Sequence, residues 1–221
     1  MLVMGDTHML VDVTRDFADQ AGSLDAIEAV PLTHAHGDAA GGMAQLRRWW
    51  QRRSGPAIPI YGHPMALDRV QTRHRRLEHC TFHPVEAGST LRIAGWSVCG
   101  VEVPHARSPE FPTMAWRIDD GRAVVVYASD VCTPVDELRS LCAGADALIV
   151  DGATWRRRIF THLRIDEDLP TICGWDVGHI WLTQIGRSAP PHNVLARAVR
   201  DPCSRAAPAY DGLEITIPPR R

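Results

Sequence analysis

The sequence of 221 residues lacks lysine altogether, so all 24 of its basic residues are arginines. They stand against 26 acidic residues, and the formal net charge of −2 excludes a chain that binds polyanions through an overall basic surface. No apolar run approaches the ~18 residues that a membrane-spanning helix needs. The amino end also lacks a basic stretch followed by an apolar one. We therefore expect no membrane partner, no secretory signal and a cytoplasmic location.

The six cysteines form no C-x-x-C pair and have no zinc-knuckle spacing. Without a secretory signal, we expect them to be reduced and mostly buried thiols. The arginines, in contrast, form clusters at 47–53, 73–76 and 156–158. Each cluster is either a solvated helix face or a rim that attracts a phosphate-bearing substrate.

Short β-like segments alternate with helical ones along the chain. The first residues predict a hairpin, with strands at 2–4 and 9–13 around the turn Gly5-Asp6-Thr7. Further strands are predicted at 29–32, 58–61, 91–93, 96–103, 113–118, 123–129, 147–150, 180–183 and 213–217. Helices are predicted from Met43 and over 64–79, 135–141, 165–173 and 193–200. This order fits sheets covered by helices, and hence a layered α/β protein with a single domain.

The segment after the strand at 29–32 carries three candidate metal ligands. His34 and His36 are two residues apart, and Asp38 follows at the same interval. Imidazole and carboxylate donors that converge on one loop suit a borderline cation such as Zn²⁺. Gly41 and Gly42 then allow a helix to begin close to this loop. The alternative is three polar residues in a solvated turn.

Two further candidate ligands each follow a predicted strand. His105 comes after the strand at 96–103, and Asp130 comes after the strand at 123–129. Ligands at strand ends are rigidly held, as a catalytic site requires. A strand-terminal Asp that caps a turn is the alternative for Asp130. Together with the first motif, these residues form a set of three His and two Asp.

In this order, the motifs resemble those of the metallo-β-lactamase superfamily, in particular its phosphodiesterase-like branch of cyclic phosphodiesterases and tRNA-processing endonucleases. The match runs from the hairpin through His34–Ala39, Pro104-His105 and Ser129-Asp130 to 210–215, and so covers nearly the whole chain. The resemblance implies a four-layer αββα sandwich in one domain over 1–221, with the metal site at one edge between the sheets. It divides the chain into halves of about 1–110 and 111–221.

Relatives in this branch usually begin with a further strand. Either the start of this chain is trimmed, or its first sheet lacks an edge strand. A missing edge strand would leave that sheet open to pairing with a partner, including a second copy in a homodimer.

The departures from the family pattern concern the number of metals. The resemblance implies that His34, His36 and His105 hold one zinc ion and that Asp130 bridges to a second metal, which Asp38 helps to bind. Two further ligands of that second metal are His in the family, where this chain has Ala39 and Gln184. Because a carboxamide is a poor zinc ligand, we predict one tightly bound zinc, with manganese or iron as alternatives.

The resemblance also implies the chemistry. Three His and a carboxylate make a catalytic site if one position stays open for water, which a bound zinc activates at neutral pH. Asp38, freed from a second metal, is the predicted catalytic base. His162 resembles the family His that begins a helix and protonates the leaving group. Because Thr161 replaces the family's Gly before it, a helix-capping or supporting role is the alternative for His162.

We therefore predict a metal-dependent hydrolase that cleaves a small phosphodiester, cyclic ones included, in preference to a nucleic acid. An acyl hydrolase for thioesters or lactones is one alternative, because the same metal site serves both reactions. A pseudoenzyme or binding protein with a degenerate site is the other, and Ala39 and Gln184 favour it. The remaining histidines are assigned to gating, structure or the surface (His192, His63, His179), or to exposed positions without a partner (His8, His74, His79, His83).

Overall fold

The fold begins with two small groups of strands at the amino end of the chain. The computed structural model describes residues 2–4, 8–21, 24–105, 111–157 and 159–218. The strand β1 (Leu2–Met4) pairs antiparallel with β2 (Met9–Val11), which confirms the predicted hairpin, although its turn lies outside the described residues. The strands β3 (Val30–Pro31), β4 (Ile58–Gly62) and β5 (Cys80–Pro84) pair in parallel. A bridge between Met9 and Ala29 connects the two groups.

A second, larger sheet contains seven strands in the described part of the chain, in the order β12-β11-β10-β9-β8-β7-β6. Four successive strands pair antiparallel: β6 (Thr90–Ile93), β7 (Trp96–Val103), β8 (Thr113–Asp119) and β9 (Val124–Ala128). Three more add in parallel: β10 (Ala145–Asp151), β11 (Val177–Thr183) and β12 (Ala206–Pro208). The all-buried β9 and the apolar β10 lie at the centre, as continuous hydrophobic strands do in covered sheets.

Helices cover the outer face of each sheet. They are α1 (Phe17–Ala21), α2 (Gly37–Ala40), α3 (Met43–Arg53), α4 (Pro64–Arg73), α5 (Asp136–Cys142), α6 (Ile165–Cys173) and α7 (His192–Arg200). Apolar residues of α3 and α4 join the core of the smaller sheet, and those of α5, α6 and α7 join the core of the larger sheet. A third cluster, including Met9, Trp116 and Tyr127, packs between the sheets. The predicted αββα sandwich is confirmed.

Two predictions need correction: the division of the strands between the two sheets, and the position of the last strand. The strands β6 and β7 precede residue 110 but belong to the larger sheet, because β7 pairs with β8 along its length. The strand predicted at 213–217 is wrong: that segment forms no strand, and Ile215 is exposed. The edge position is taken instead by β12, which pairs in parallel with β11.

The segment after α4 also differs from the prediction. The helix predicted over 64–79 ends at Arg73, and β5, which the sequence analysis missed, follows after a short turn. His79, which was expected to be exposed, is fully buried, with its ring centroid 6.2 Å from that of Trp50. It is buried because the turn leads directly into β5. His8 and His74 are partly buried.

The expectation that every cysteine is reduced is wrong for one pair. Cys173 at the end of α6 and Cys203 after α7 form a disulfide across a sequence separation of 30 residues. Cys203 belongs to the core of the larger sheet and Cys173 packs against it, where the packing of α6 and α7 brings the two together. Cys80 and Cys142 are buried free thiols, as predicted.

None of the helices in the described part of the chain has the length and apolar character that crossing a bilayer requires.

Candidate metal centre

The predicted ligands converge at one edge of the sandwich, each on the loop or helix that follows a strand. His34 and His36 follow β3, Asp38 lies in the first turn of α2, His105 follows β7 and Asp130 follows β9. His34, His36 and His105 have ligand atoms within 4.8 Å of one another, as do His34, Asp38 and Asp130. The structure thus brings together all five residues that the sequence analysis singled out.

Two atoms of this cluster are buried without a hydrogen-bond partner among the described residues: His34 Nε2 and Asp130 Oδ1. The Nδ1 atom of His36 lies 3.4 Å from the Nε2 atom of His105, which in turn lies 3.9 Å from Asp130 Oδ1. Buried polar atoms are nearly always hydrogen-bonded. Buried nitrogen and oxygen atoms that face one another without such bonds are therefore suited to bind a cation. This donor set fits a divalent ion such as zinc.

Hydrogen bonds behind the ligands fix which ring nitrogens are free. The Thr33 hydroxyl donates to the Asp12 carboxylate at 3.0 Å, so its oxygen accepts from His34 Nδ1 at 2.9 Å. The Thr161 carbonyl accepts from His105 Nδ1 at 2.7 Å. In its neutral form, each of these histidines therefore carries its proton on Nδ1 and leaves Nε2 free, as metal-bound histidines with such partners do. The sequence analysis gave Asp12 and Thr33 no role, because Asp12 is 21 residues from Thr33.

Burial favours the neutral form of His34 and His36. Burial lowers the pKa of His34 to about 4, and burial also lowers the pKa of His36. Burial raises the pKa of the Asp12 carboxyl to about 7, although the hydrogen bonds from Thr33 act to lower it. Because neutral imidazole is the form that binds metal, the lowered pKa values of His34 and His36 favour metal binding.

The carboxamide of Gln184 lies between the two carboxylates of the cluster. Its Nε2 donates to Asp130 Oδ2 at 2.8 Å and approaches Asp38 Oδ2 at 3.4 Å. The Ser129 hydroxyl also donates to Asp130 Oδ2, at 2.7 Å. Asp130 therefore has one oxygen satisfied by two donors and leaves the other, Oδ1, for a metal. Gln184 adopts φ 59°, a left-handed conformation uncommon outside glycine, directly after β11.

Asp38 is the most accessible candidate ligand, with its side chain 49% exposed and its Oδ1 3.7 Å from His34 Nε2. Burial works against its ionised form, but the nearby His34, its own backbone and the Gln184 amide outweigh burial and lower the pKa of Asp38. The carboxylate is therefore ionised at neutral pH. Ala39, next in the chain, is buried and offers no ligand atom.

His162 reaches the same centre from the loop before α6 and is paired with a buried carboxylate. Its Nδ1 lies 2.7 Å from Asp151 Oδ2, and its ring centroid is 5.3 Å from that of His105. Backbone amides of Val131 and Ala153 also donate to Asp151. The bond to Asp151 raises the pKa of His162, whereas burial raises the pKa of Asp151.

Asp151 was not among the functional residues predicted from the sequence. The sequence does contain a signal for it, because Asp151 ends an apolar strand just as Asp130 follows one.

Aromatic stacking supports the other side of the centre. The ring of Phe111 lies 4.9 Å from that of His36 at an interplanar angle of 32°, and the Arg69 guanidinium lies 4.0 Å from the Phe111 centroid. Arg73 donates to the carbonyl of Ala35, between the two ligand histidines, at 2.8 Å. Part of the arginine cluster at 73–76 therefore borders the metal loop. Phe111 carried no motif and was missed.

Other histidines lie outside the cluster. His63 caps α4 by accepting from the Met65 amide at 3.2 Å. His192 lies 3.3 Å from the Pro208 carbonyl, with its ring edge-on to Tyr210. His179 and His83 are exposed.

A comparison with known families identifies the class of protein. The sequence model described as the beta-lactamase superfamily domain matches residues 7–188, so the chain belongs to this superfamily. The membership predicted from the H-x-H-x-D motif and the strand-end ligands is confirmed. The family implies a divalent metal, which the donor set described above fits.

Individual relatives refine this placement. Ribonuclease Z of Mycobacterium tuberculosis is 30% identical over an alignment of 166 positions, which covers 66% of this chain and 59% of that protein. An octanoyltransferase of Porphyromonas gingivalis is 24% identical over a gapped alignment of 235 positions, which covers 98% of this chain and 44% of that protein. The chain thus spans less than two thirds of the length of these relatives. The ribonuclease Z match agrees with the predicted phosphodiesterase-like branch.

Solved structures share the fold. A diphosphatase from the PhnP family superposes with a TM-score of 0.82 at 21% identity, over 98% of this chain and 84% of that chain. The metallo-beta-lactamase fold protein YhfI from Bacillus subtilis gives 0.80 at 22% identity, over 95% and 86%. Human tRNase Z, short form, gives 0.71 at 18% identity, over 98% and 91%. At these identities the likeness establishes the fold.

Proposed function

We propose that this protein is a metal-dependent hydrolase that cleaves phosphodiesters with a single zinc ion held by His34, His36, His105 and Asp130. The observation that carries the proposal is the cluster of three imidazoles and the Asp130 carboxylate, in which the buried atoms His34 Nε2 and Asp130 Oδ1 have no hydrogen-bond partner among the described residues. Relatives named ribonuclease Z and diphosphatase support a phosphate-containing substrate. The proposal includes a small-molecule substrate, a cytoplasmic location and a homodimer.

The proposal of a single metal ion rests on the groups that surround the carboxylates of Asp38 and Asp130. Ser129 and Gln184 donate to Asp130 Oδ2, and the same Gln184 amide faces Asp38. A hydrogen-bond donor therefore stands where a second cation would need acceptor atoms. Ala39 contributes no ligand. The Gln184 amide satisfies both carboxylates without a second metal.

Each residue of the centre has a separate role in the proposed reaction. A bound zinc lowers the pKa of water to roughly 7 and offsets negative charge on a phosphoryl oxygen. Asp38, ionised and exposed, accepts the proton of the attacking water. In protonated His162, Nδ1 donates to Asp151 and Nε2 carries the proton that goes to the leaving oxygen. The bond to Asp151 keeps His162 protonated over a wider pH range.

The test is a comparison of substrates. The zinc-loaded protein is assayed on bis(p-nitrophenyl) phosphate, on an aryl thioester and on a lactone, with His105→Ala as the inactive control. Hydrolysis of the phosphodiester that is lost in the control supports the proposal. Hydrolysis of the thioester or lactone alone would show an acyl hydrolase. No hydrolysis of any of the three, with zinc bound, would support the pseudoenzyme.

The role of His162 predicts a dependence on the leaving group. We expect His162→Ala to lower kcat for a thymidine 5′-phenyl phosphate diester by about 10²-fold or more, because general acid catalysis contributes on this scale. The loss should be much smaller for the p-nitrophenyl ester, since p-nitrophenolate leaves without a proton. Rates on the two esters measure this directly. His179→Ala, at an exposed histidine outside the centre, is the control, and equal losses on both esters would contradict the acid role.

A further inference from the structure

The imidazole of His36 has less support from hydrogen bonds than the other two histidines of the centre. His34 Nδ1 bonds to the Thr33 hydroxyl, and His105 Nδ1 bonds to the Thr161 carbonyl. In the described part of the chain, the only polar contact of the His36 ring nitrogens closer than 3.5 Å is the one to His105, and the ring is only partly buried. A different kind of contact therefore has to orient this ring.

The orientation of the His36 ring decides whether it offers a ligand atom. Its Nδ1 lies 3.4 Å from His105 Nε2, so Nδ1 is the atom that faces the other ligands. The torsion that turns an imidazole about its bond to Cβ is broad and roughly twofold, so an unsupported ring also populates the flipped orientation. In the flipped orientation a carbon atom takes the place of Nδ1, and one ligand atom is lost. A contact that prevents the flip therefore raises metal affinity.

The ring of Phe111 makes such a contact. Its centroid lies 4.9 Å from that of His36 at an interplanar angle of 32°. The Arg69 guanidinium lies 4.0 Å from the same Phe111 centroid. Aromatic pairs at this separation and cations over an aromatic ring are both attractive. The Arg69–Phe111–His36 stack thus connects α4 and the segment before β8 to the metal loop.

The helix α4 holds the metal loop at two points. Arg69 and Arg73 are four residues apart, so they lie on the same face of α4. Arg73 donates to the Ala35 carbonyl at 2.8 Å and so holds the main chain directly before His36. Arg69 contacts Phe111, which packs on the His36 ring. Because apolar residues of α4 belong to the core of the smaller sheet, this helix is a firm support for both contacts.

We propose that Phe111 is a positioning residue that holds His36 Nδ1 toward the metal ion, and that Arg69 acts through Phe111. The proposal rests on the proposed metal centre but not on the reaction catalysed there. It assigns a role in metal binding to two side chains that offer no ligand atom of their own, since a phenyl ring has none and a guanidinium stays protonated. Substitution of Phe111 should therefore change the affinity for zinc without changing the number of zinc ions bound.

The first test measures zinc affinity by competition with a chromophoric chelator. Phe111→Leu keeps an apolar side chain and removes the aromatic face, and we expect zinc affinity to fall by about three- to tenfold, the scale of an aromatic pair. Phe111→Tyr keeps the ring and should retain the wild-type affinity. Phe82→Leu, at a partly buried phenylalanine packed against the core of the smaller sheet, is the matched control and should leave zinc affinity unchanged.

The second test uses cobalt(II) in place of zinc, because its visible absorption reports the ligands around the metal. In the cobalt-saturated Phe111→Leu protein we expect weaker visible bands, since water replaces His36 in part of the molecules. Phe111→Tyr should restore the wild-type spectrum. A Phe111→Leu protein with a lower unfolding temperature but unchanged zinc affinity and cobalt spectrum would overturn the proposal, because Phe111 would then serve only stability.

The third test asks whether Arg69 acts through Phe111. Arg69→Met should lower zinc affinity by about two- to fivefold in the wild-type protein, the scale of a cation–π contact. It should have no further effect when Phe111 is already leucine, because coupled residues are not additive. Equal losses in both backgrounds would contradict a role of Arg69 through Phe111.

Failure of this proposal is distinct from failure of the proposed function. Wild-type zinc affinity in Phe111→Leu would overturn the positioning role and leave a metal-dependent hydrolase standing. The expected losses of zinc affinity, in a protein that binds zinc but hydrolyses no phosphodiester, would refute the proposed function and support the positioning role.

Discussion

Replacement of His105 by alanine is expected to remove zinc binding and hydrolysis together. The His105 Nε2 atom lies 3.4 Å from His36 Nδ1 and 3.9 Å from Asp130 Oδ1, so it connects the histidine motif of the smaller sheet to the carboxylate of the larger one. Loss of a residue behind a ligand already costs about 10- to 100-fold in metal affinity. Loss of the ligand itself should therefore lower zinc affinity by more than about 100-fold.

Zinc affinity is measured by competition with a chromophoric chelator, and kcat is measured on bis(p-nitrophenyl) phosphate. His179→Ala serves as the control for a histidine outside the centre. Thermal unfolding of the metal-free variant checks that the fold is intact, because His105 is buried. A His105→Ala protein that keeps wild-type zinc affinity would show that the metal binds elsewhere.

The second prediction with a large effect is that a variant binds an additional zinc ion. The double variant Ala39→His with Gln184→His restores the two histidines that the family pattern has at these positions. It also removes the amide that donates to Asp130 and faces Asp38 at 3.4 Å. With two imidazoles and two carboxylates available, we expect the bound zinc to rise from one to two equivalents. The measurement is metal content after dialysis against dilute zinc.

Gln184→Leu is the matched control, because it removes the donor without adding a ligand, and it should stay at one equivalent. Ala39 is buried, so circular dichroism must show that the double variant folds. Two equivalents in the wild-type protein would contradict the single-metal site. A folded double variant that stays at one equivalent would show that Gln184 and Ala39 do not set the metal count.

The cluster of candidate metal ligands could be predicted from the sequence because its signals are local. His34, His36 and Asp38 lie in one short loop, and His105 and Asp130 each end a strand that its composition reveals. The alternation of strands and helices predicted a layered α/β class, and the resemblance to the metallo-β-lactamase superfamily implied the αββα sandwich. Ala39 and Gln184 could be identified because a family pattern predicts a different residue at each position.

The supporting contacts could not be predicted, because they join residues far apart in the sequence. The bond from His105 to the Thr161 carbonyl spans 56 residues, and the disulfide between Cys173 and Cys203 spans 30. Main-chain partners carry no side-chain signal at all. The misplaced final strand has a related cause, since β12 has three residues and exists only through its pairing with β11.

The most direct test of the account is a titration of metal-free protein with zinc, followed by hydrolysis of bis(p-nitrophenyl) phosphate at each step. We predict that the rate rises linearly and reaches a plateau at one equivalent of zinc. A plateau at two equivalents would contradict the single-metal centre, and no hydrolysis at any ratio would contradict the hydrolase.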